Sequence, residues 1–67
     1  MISIHLNGEV REVPASGDLT TLLQRFSLPE KRVAIEINGE VVRRGDWSRT
    51  IVADGDRIEV VHFVGGG

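Results

Sequence analysis

The sequence lacks cysteine and is poor in proline, aromatic residues and lysine, with two prolines, 4% aromatics and Lys31 as the lone lysine. Without cysteine the chain can form no disulfide, no cysteine-ligated metal site and no thiol nucleophile. No stretch approaches the ~18 uncharged apolar residues of a membrane span, and the start lacks the basic region of a signal peptide. We therefore expect a cytoplasmic protein with no membrane partner.

The chain is also short and has no excess of positive charge. Its 67 residues fit one compact domain, and 40% hydrophobic with 27% charged residues is typical of a globular protein. A domain of this size has little room for a deep, enclosed active site. Eight Lys+Arg against ten Asp+Glu give a net charge of -2, so we expect no nucleic-acid partner.

The first residues predict a β-hairpin. Apolar and polar residues alternate over 2–6, which is the period of a strand, and Asn7-Gly8 favours a type I′ turn. Residues 9–13 should therefore return antiparallel. Val10 and Val13 are three positions apart, so this return strand either contains a bulge or turns Val10 to the outer face.

A short helix and a second hairpin follow. Asp18 is placed to cap a helix that Pro29 should end by about 27–28. Alternation over 33–37 and the turn dipeptide Asn38-Gly39 predict the second hairpin. The helix has one apolar stripe at the spacing i, i+3, i+4, i+7, formed by Leu19, Leu22, Leu23 and Phe26.

The remaining residues predict a plug for the core and a last strand. Residues 43–53 have no clear period, and we expect Trp47 and the pair Ile51-Val52 to close the open end of the core. The turn Asp54-Gly55-Asp56 should precede a strand over 57–64. The order of elements predicts an α+β fold of the β-grasp type, a mixed sheet of four to five strands with one helix on one face and the last strand beside the first.

Patterns typical of enzymes and metal sites are weak. His5 should face away from the core and His62 towards the helix side near the sheet edge, so the two cannot share a metal ion. No Gly-x-Ser-x-Gly motif supports a nucleophile, and the aspartates fit a helix cap and a turn better than catalysis. We expect no catalytic residue and no metal.

The C-terminal residues are the most unusual. Gly65, Gly66 and Gly67 have no side chains and form a tail over 65–67 after a domain over 1–64. Such a tail can lie in a narrow channel, and its terminal carboxylate is sterically free to attack a phosphoanhydride. An inert, flexible terminus is the equal alternative. Val61 and Phe63 should point outward just before this tail and form a docking surface, unless a twist turns Phe63 against the margin of the core. A further group of arginines could form a basic rim or simply be solvated: Arg43, Arg44, Arg49 and Arg57.

These residues resemble the sulfur carrier family of thiamine thiazole biosynthesis, the ThiS family of ubiquitin-like β-grasp proteins. The resemblance spans essentially the whole chain. It rests on Asn7-Gly8-Glu9, Leu22-Leu23, Val33-Ala34, Ile37-Asn38-Gly39-Glu40, Val42, Arg44, Trp47 and the ending Asp54-Gly55-Asp56-Arg57-Ile58-Glu59-Val60-Val61-His62-Phe63-Val64-Gly65-Gly66-Gly67. Arg43, where the family often has proline, and a helix start that looks one residue short depart from the pattern.

The resemblance implies a carrier protein that is not an enzyme. It implies that a ubiquitin-activating-like adenylyltransferase uses ATP to adenylylate Gly67, which then becomes a thiocarboxylate and donates its sulfur to thiazole synthase. Gly65 and Gly66 would thread the partner active sites, with no cofactor bound to the carrier and a monomer when free. Two alternatives stay open: a sulfur carrier for molybdopterin or tRNA thiolation, and a β-grasp binding module or protein modifier without a sulfur role.

Overall fold

The computed structural model describes residues 1–63. Val64 and the predicted tail of Gly65, Gly66 and Gly67 lie outside the described residues, so the boundary at 64 and the behaviour of the tail stay predictions. The described residues form, in chain order, β1 (Ile2–Leu6), β2 (Glu9–Val13), α1 (Leu19–Arg25), β3 (Val33–Ile37), β4 (Glu40–Val42), a 3₁₀-helix (Arg44–Arg49) and β5 (Arg57–His62).

The strands form one five-stranded mixed sheet in the order β2-β1-β5-β3-β4. β5 is parallel to β1 and antiparallel to β3, so the last strand lies beside the first at the centre of the sheet. The helix α1 covers one face. The predicted β-grasp arrangement is therefore confirmed.

Both predicted turns are confirmed by their backbone angles. Asn7 and Asn38 have φ of 50° and 53°, and the glycines after them, Gly8 and Gly39, have φ of 84° and 87°. A type I′ turn requires positive φ at both central residues, which asparagine and glycine adopt at least cost. These dipeptides therefore set the positions at which both hairpins reverse.

The register of the first hairpin decides between the two interpretations of Val10. The pairing between β1 and β2 runs without interruption from Ile2 opposite Val13 to Leu6 opposite Glu9. Val10 is 64% exposed. The return strand is therefore regular, and Val10 lies on the outer face.

The helix begins and ends close to the predicted residues. Asp18 accepts a hydrogen bond from the backbone N–H of Thr21 at 3.1 Å. Hydrogen bonds from the side chain and backbone of Thr21 hold the pKa of the Asp18 carboxyl below its usual value, as expected for a carboxylate that caps a helix. The helix ends at Arg25, with Phe26 as its C-cap, one turn before Pro29.

The core lies between α1 and the sheet, and it corrects one prediction. Trp47 and Val52 are buried, and the Trp47 indole N–H donates to the Val42 carbonyl at 3.0 Å. Ile51, predicted to be part of the plug, is 54% exposed because neighbouring residues in an extended segment point in opposite directions and Val52 points inward. The buried residues are Ile4, Leu6, Val13, Leu19, Leu22, Leu23, Val33, Ile35, Trp47, Val52 and Ile58.

Asn7 also ties the first hairpin to the last strand. Its side-chain oxygen accepts a hydrogen bond from the Val60 N–H at 2.8 Å. Asn7→Gly keeps the turn but leaves this N–H without its partner, so we expect a loss of about 1 to 2 kcal/mol in the free energy of unfolding. Asn7→Asp retains a carboxyl oxygen and should lose less. Urea denaturation measures both, and equal losses would show that the hydrogen bond contributes nothing.

Candidate functional site

The face of the sheet opposite α1 is exposed, and we call it the open face. The register of the strands identifies which side chains lie on this face. Val61 lies opposite Ala34 on β3, and Val41 lies opposite Glu36. Val41 is 68% and Val61 48% exposed, whereas the residues that alternate with them face the helix. The open face therefore presents apolar side chains to solvent close to the end of β5.

Val61 and Phe63, the predicted docking residues, are both accessible. Phe63 is 44% exposed and is not among the residues of the buried core, which agrees with the predicted outward position. The predicted last strand extended to Val64, but β5 ends at His62. The Phe63 N–H nevertheless donates to the Arg32 carbonyl at 2.9 Å, which fixes the backbone of Phe63 beside β3.

Two glutamates lie on the open face beside these apolar residues. Glu36 on β3 and Glu59 on β5 are directly opposite each other, and neither forms an ion pair within residues 1–63. Like charges in directly opposite positions destabilise a sheet. The sequence pattern does not single them out, because only the register between strands far apart in sequence brings them together.

The predicted basic rim is divided among different local contacts. The Arg44 guanidinium lies over the Trp47 ring, 4.4 Å from its centroid. Arg49 forms an ion pair with Asp46 in the 3₁₀-helix. Arg57 is on β5 opposite His5 of β1, two residues before Glu59. Only Arg57 of these three therefore belongs to the open face.

The two histidines lie on opposite faces of the sheet, as predicted. His5 alternates with the buried Ile4 and Leu6, and it is exposed on the open face. His62 lies opposite Val33, whose side chain is buried on the helix side. Within residues 1–63, no group of three or more carboxylate or imidazole side chains is placed to hold a metal ion. In the same residues, no helix is long and apolar enough to cross a membrane.

The residues predicted to take part in the sulfur chemistry lie beyond residue 63. Gly67, predicted to carry sulfur, and the threading residues Gly65 and Gly66 are outside the described residues. The described part of the predicted site consists of Val61, Phe63 and the two glutamates, Glu36 and Glu59. This arrangement offers an exposed recognition surface rather than a pocket with reactive groups.

Comparisons with known proteins agree on one family. The ThiS family model matches residues 4–67. The chain is 37% identical to the sulfur carrier protein ThiS of Bacillus subtilis, over 96% of this chain and 98% of that protein. The crystal structure of the thiamine biosynthesis protein (ThiS) from Geobacter metallireducens superposes with a TM-score of 0.87 and 35% identity, over 98% of this chain and 100% of that one.

Larger proteins also contain a similar region. The chain is 42% identical over 66 residues to the thiazole synthase of Magnetococcus marinus and 39% identical over 62 residues to that of Paramagnetospirillum magneticum. It spans only about a fifth of their length, 20% and 19%. A region like this chain and the rest of a thiazole synthase are thus joined in one polypeptide there.

Proposed function

Because the chain belongs to the ThiS family, we propose that it is a sulfur carrier of thiamine biosynthesis, a substrate of partner enzymes and not an enzyme itself. The observation that carries this proposal is the similarity to the B. subtilis sulfur carrier over nearly the full length of both chains. The exposed apolar surface beside the end of β5 supports it, because a carrier must be recognised by the enzymes that modify it.

We propose that Gly67 carries the sulfur. A partner adenylyltransferase joins the Gly67 carboxylate to the α-phosphate of ATP and releases pyrophosphate. A donor that delivers sulfur at the oxidation level of sulfide then attacks the acyl carbon, the acyl–phosphate bond breaks with AMP as the leaving group, and a thiocarboxylate remains. The carrier itself binds no cofactor. The chain contains no cysteine, so no thiol within it competes as a site for reactive sulfur.

Thiazole synthase is the proposed acceptor of this sulfur, with Gly65 and Gly66 as the thin segment that enters the partner active sites. The similarity to thiazole synthases that contain a region like this chain supports the choice of partner. We propose that partners contact the open face around Val61 and Phe63, with positive charge opposite Glu36 and Glu59. A monomeric free state and a cytoplasmic location stay predictions.

The intact mass of the protein tests the carrier chemistry. The untagged protein is produced together with its adenylyltransferase, ATP and a sulfur source, and is purified without strong base. We expect the mass increase of one oxygen replaced by sulfur, assigned to Gly67 by fragmentation. An unchanged mass, with the adenylyltransferase active on a known carrier, would contradict the proposal and favour a binding module or a protein modifier.

Phe63→Asp tests the docking surface. Placing a carboxylate where an apolar contact is expected should weaken binding to thiazole synthase by about 2 kcal/mol, roughly thirtyfold. The melting temperature should change little, because Phe63 is 44% exposed and outside the core.

A matched control places the same charge elsewhere on the open face. Val10→Asp is at the β2 edge, 64% exposed, and should leave binding unchanged. Calorimetric titration measures affinity and thermal denaturation measures stability. Equal weakening by both variants, or a loss of stability in Phe63→Asp with unchanged affinity, would argue against docking at Phe63.

A further inference from the structure

The end of β5 has a free edge. β1 runs parallel to β5 but pairs with it only through His5 opposite Arg57 and Leu6 opposite Ile58. The chain then reverses at the Asn7-Gly8 turn, whereas β5 continues to His62. Beyond the turn, no strand of residues 1–63 pairs with β5 on the side that faces β1.

The hydrogen bonds on both sides of β5 identify which backbone groups are left free. Odd-numbered residues bond towards β3, since Phe63 N–H donates to Arg32 and Arg57 C=O accepts from Asn38. Even-numbered residues bond towards β1, since Ile58 C=O accepts from the Asn7 N–H. This alternation is the rule for a strand between two neighbours.

Val60 and His62 are the remaining even-numbered positions of β5, and their backbone groups lie beyond the end of β1. The Val60 N–H is satisfied by the Asn7 side chain. The Val60 C=O and both backbone groups of His62 point to the same side, and none of the hydrogen bonds found within residues 1–63 reaches them. Among residues 1–63, the sheet therefore ends at His62 with one free donor and two free acceptors, three positions before the predicted tail begins at Gly65.

We propose that an extended segment of thiazole synthase pairs with this free edge and adds a strand to the sheet at His62. Unpaired strand edges are templates for a further strand, and the bonds depend on backbone groups rather than on side chains. An antiparallel segment opposite His62 forms two hydrogen bonds with it, one from its N–H and one to its C=O. This inference rests on the proposed function.

The position of the edge favours thiazole synthase as the occupant. A protein that receives the predicted tail over 65–67 must approach the chain close to His62, because only Phe63 and Val64 separate them in the sequence. The edge is also continuous with the exposed side chains of Val61 and Phe63 on the open face. In the thiazole synthases of Magnetococcus marinus and Paramagnetospirillum magneticum, a region similar to this chain is part of the same polypeptide as the rest of the synthase. The added strand fixes the direction of the tail as it leaves the sheet.

Two substitutions at His62 separate the backbone donor from the side chain. His62→Ala and His62→Pro both remove the imidazole, but only proline removes the N–H, and that N–H does not pair with β3. We expect the dissociation constant of His62→Ala for thiazole synthase to be within about twofold of that of the protein without substitutions. The dissociation constant of His62→Pro should be higher by about tenfold or more. Equal affinities of the two variants would overturn the proposal.

Amide hydrogen exchange of the unmodified chain provides a test that needs no substitution. The His62 amide should exchange about tenfold more slowly in the complex with thiazole synthase, whereas the Val61 amide, already on the β3 side, should change much less. An unchanged His62 rate in a formed complex would overturn the inference alone. Protection of His62 in the concentrated free protein would overturn it in favour of a second copy. Failure of the unmodified chain to bind thiazole synthase would instead overturn the proposed function.

Discussion

Deletion of Gly67 is expected to abolish thiocarboxylate formation and to leave the fold intact. Within residues 1–63 the buried core residues all lie between Ile4 and Ile58, so deletion of Gly67 removes none of them. The chemistry should be lost although Gly66 then ends the chain in an identical carboxylate. The reason is the length of the chain, because a tail one residue shorter places its carboxylate about 3.5 Å away from the position at which it would react with the phosphate.

Two kinds of measurement distinguish a loss of the chemistry from a loss of the fold. Circular dichroism and thermal denaturation should give the same spectrum and the same melting temperature for the deletion variant and the full chain. Intact mass should show the sulfur increase in the full chain only. A deletion variant that still acquires sulfur on Gly66, or still supplies sulfur to thiazole synthase, would disprove the assignment of Gly67.

Ile58→Ala is expected to cause the largest loss of stability among the substitutions considered. Ile58 is fully buried in β5, between β1 and β3 at the centre of the sheet. Truncation of such a side chain costs about 2 to 5 kcal/mol. A domain of this length has a total stability of roughly 3 to 10 kcal/mol, so the variant should be close to unfolding.

Val61→Ala is the matched control on the same strand. Its side chain is 48% exposed on the open face, so we expect a change of about 0.5 kcal/mol or less. Urea denaturation followed by circular dichroism measures both variants. A small loss for Ile58→Ala would mean that the core relaxes around the cavity and that the centre of the sheet is less tightly packed than the burial indicates.

Local signals in the sequence predicted most of the fold. Asn7-Gly8 and Asn38-Gly39 encode their turns in two adjacent residues, because the required backbone angles restrict which residues fit. Asp18 and Pro29 bracket the helix for equally local reasons. The central position of the last strand followed from the order of elements, which leaves few ways to cover both hairpins with one helix.

Features that depend on distant register could not be predicted. The opposition of Glu36 and Glu59 and the hydrogen bond from Val60 to Asn7 depend on how strands align across the sheet, which no short sequence pattern encodes. The apolar side chain of Ile51 predicts a place in the core, but alternation with the buried Val52 turns it outward. The docking role of Val61 and Phe63 and the chemistry of Gly67 stay predictions, since both are properties of complexes.

The central position of β5 has a consequence for how the chain acquires its structure. The bond from Val60 to Asn7 joins residues 53 positions apart, and the first hairpin lacks its inner neighbour until the last strand has been synthesised. Pairing across such separations slows folding, because the entropy cost of closing a long loop comes before the contacts form. Because β5 pairs with both β1 and β3, we expect a nascent or proteolysed chain without β5 to be unfolded, and such a chain should not compete with the complete protein for the partner enzymes.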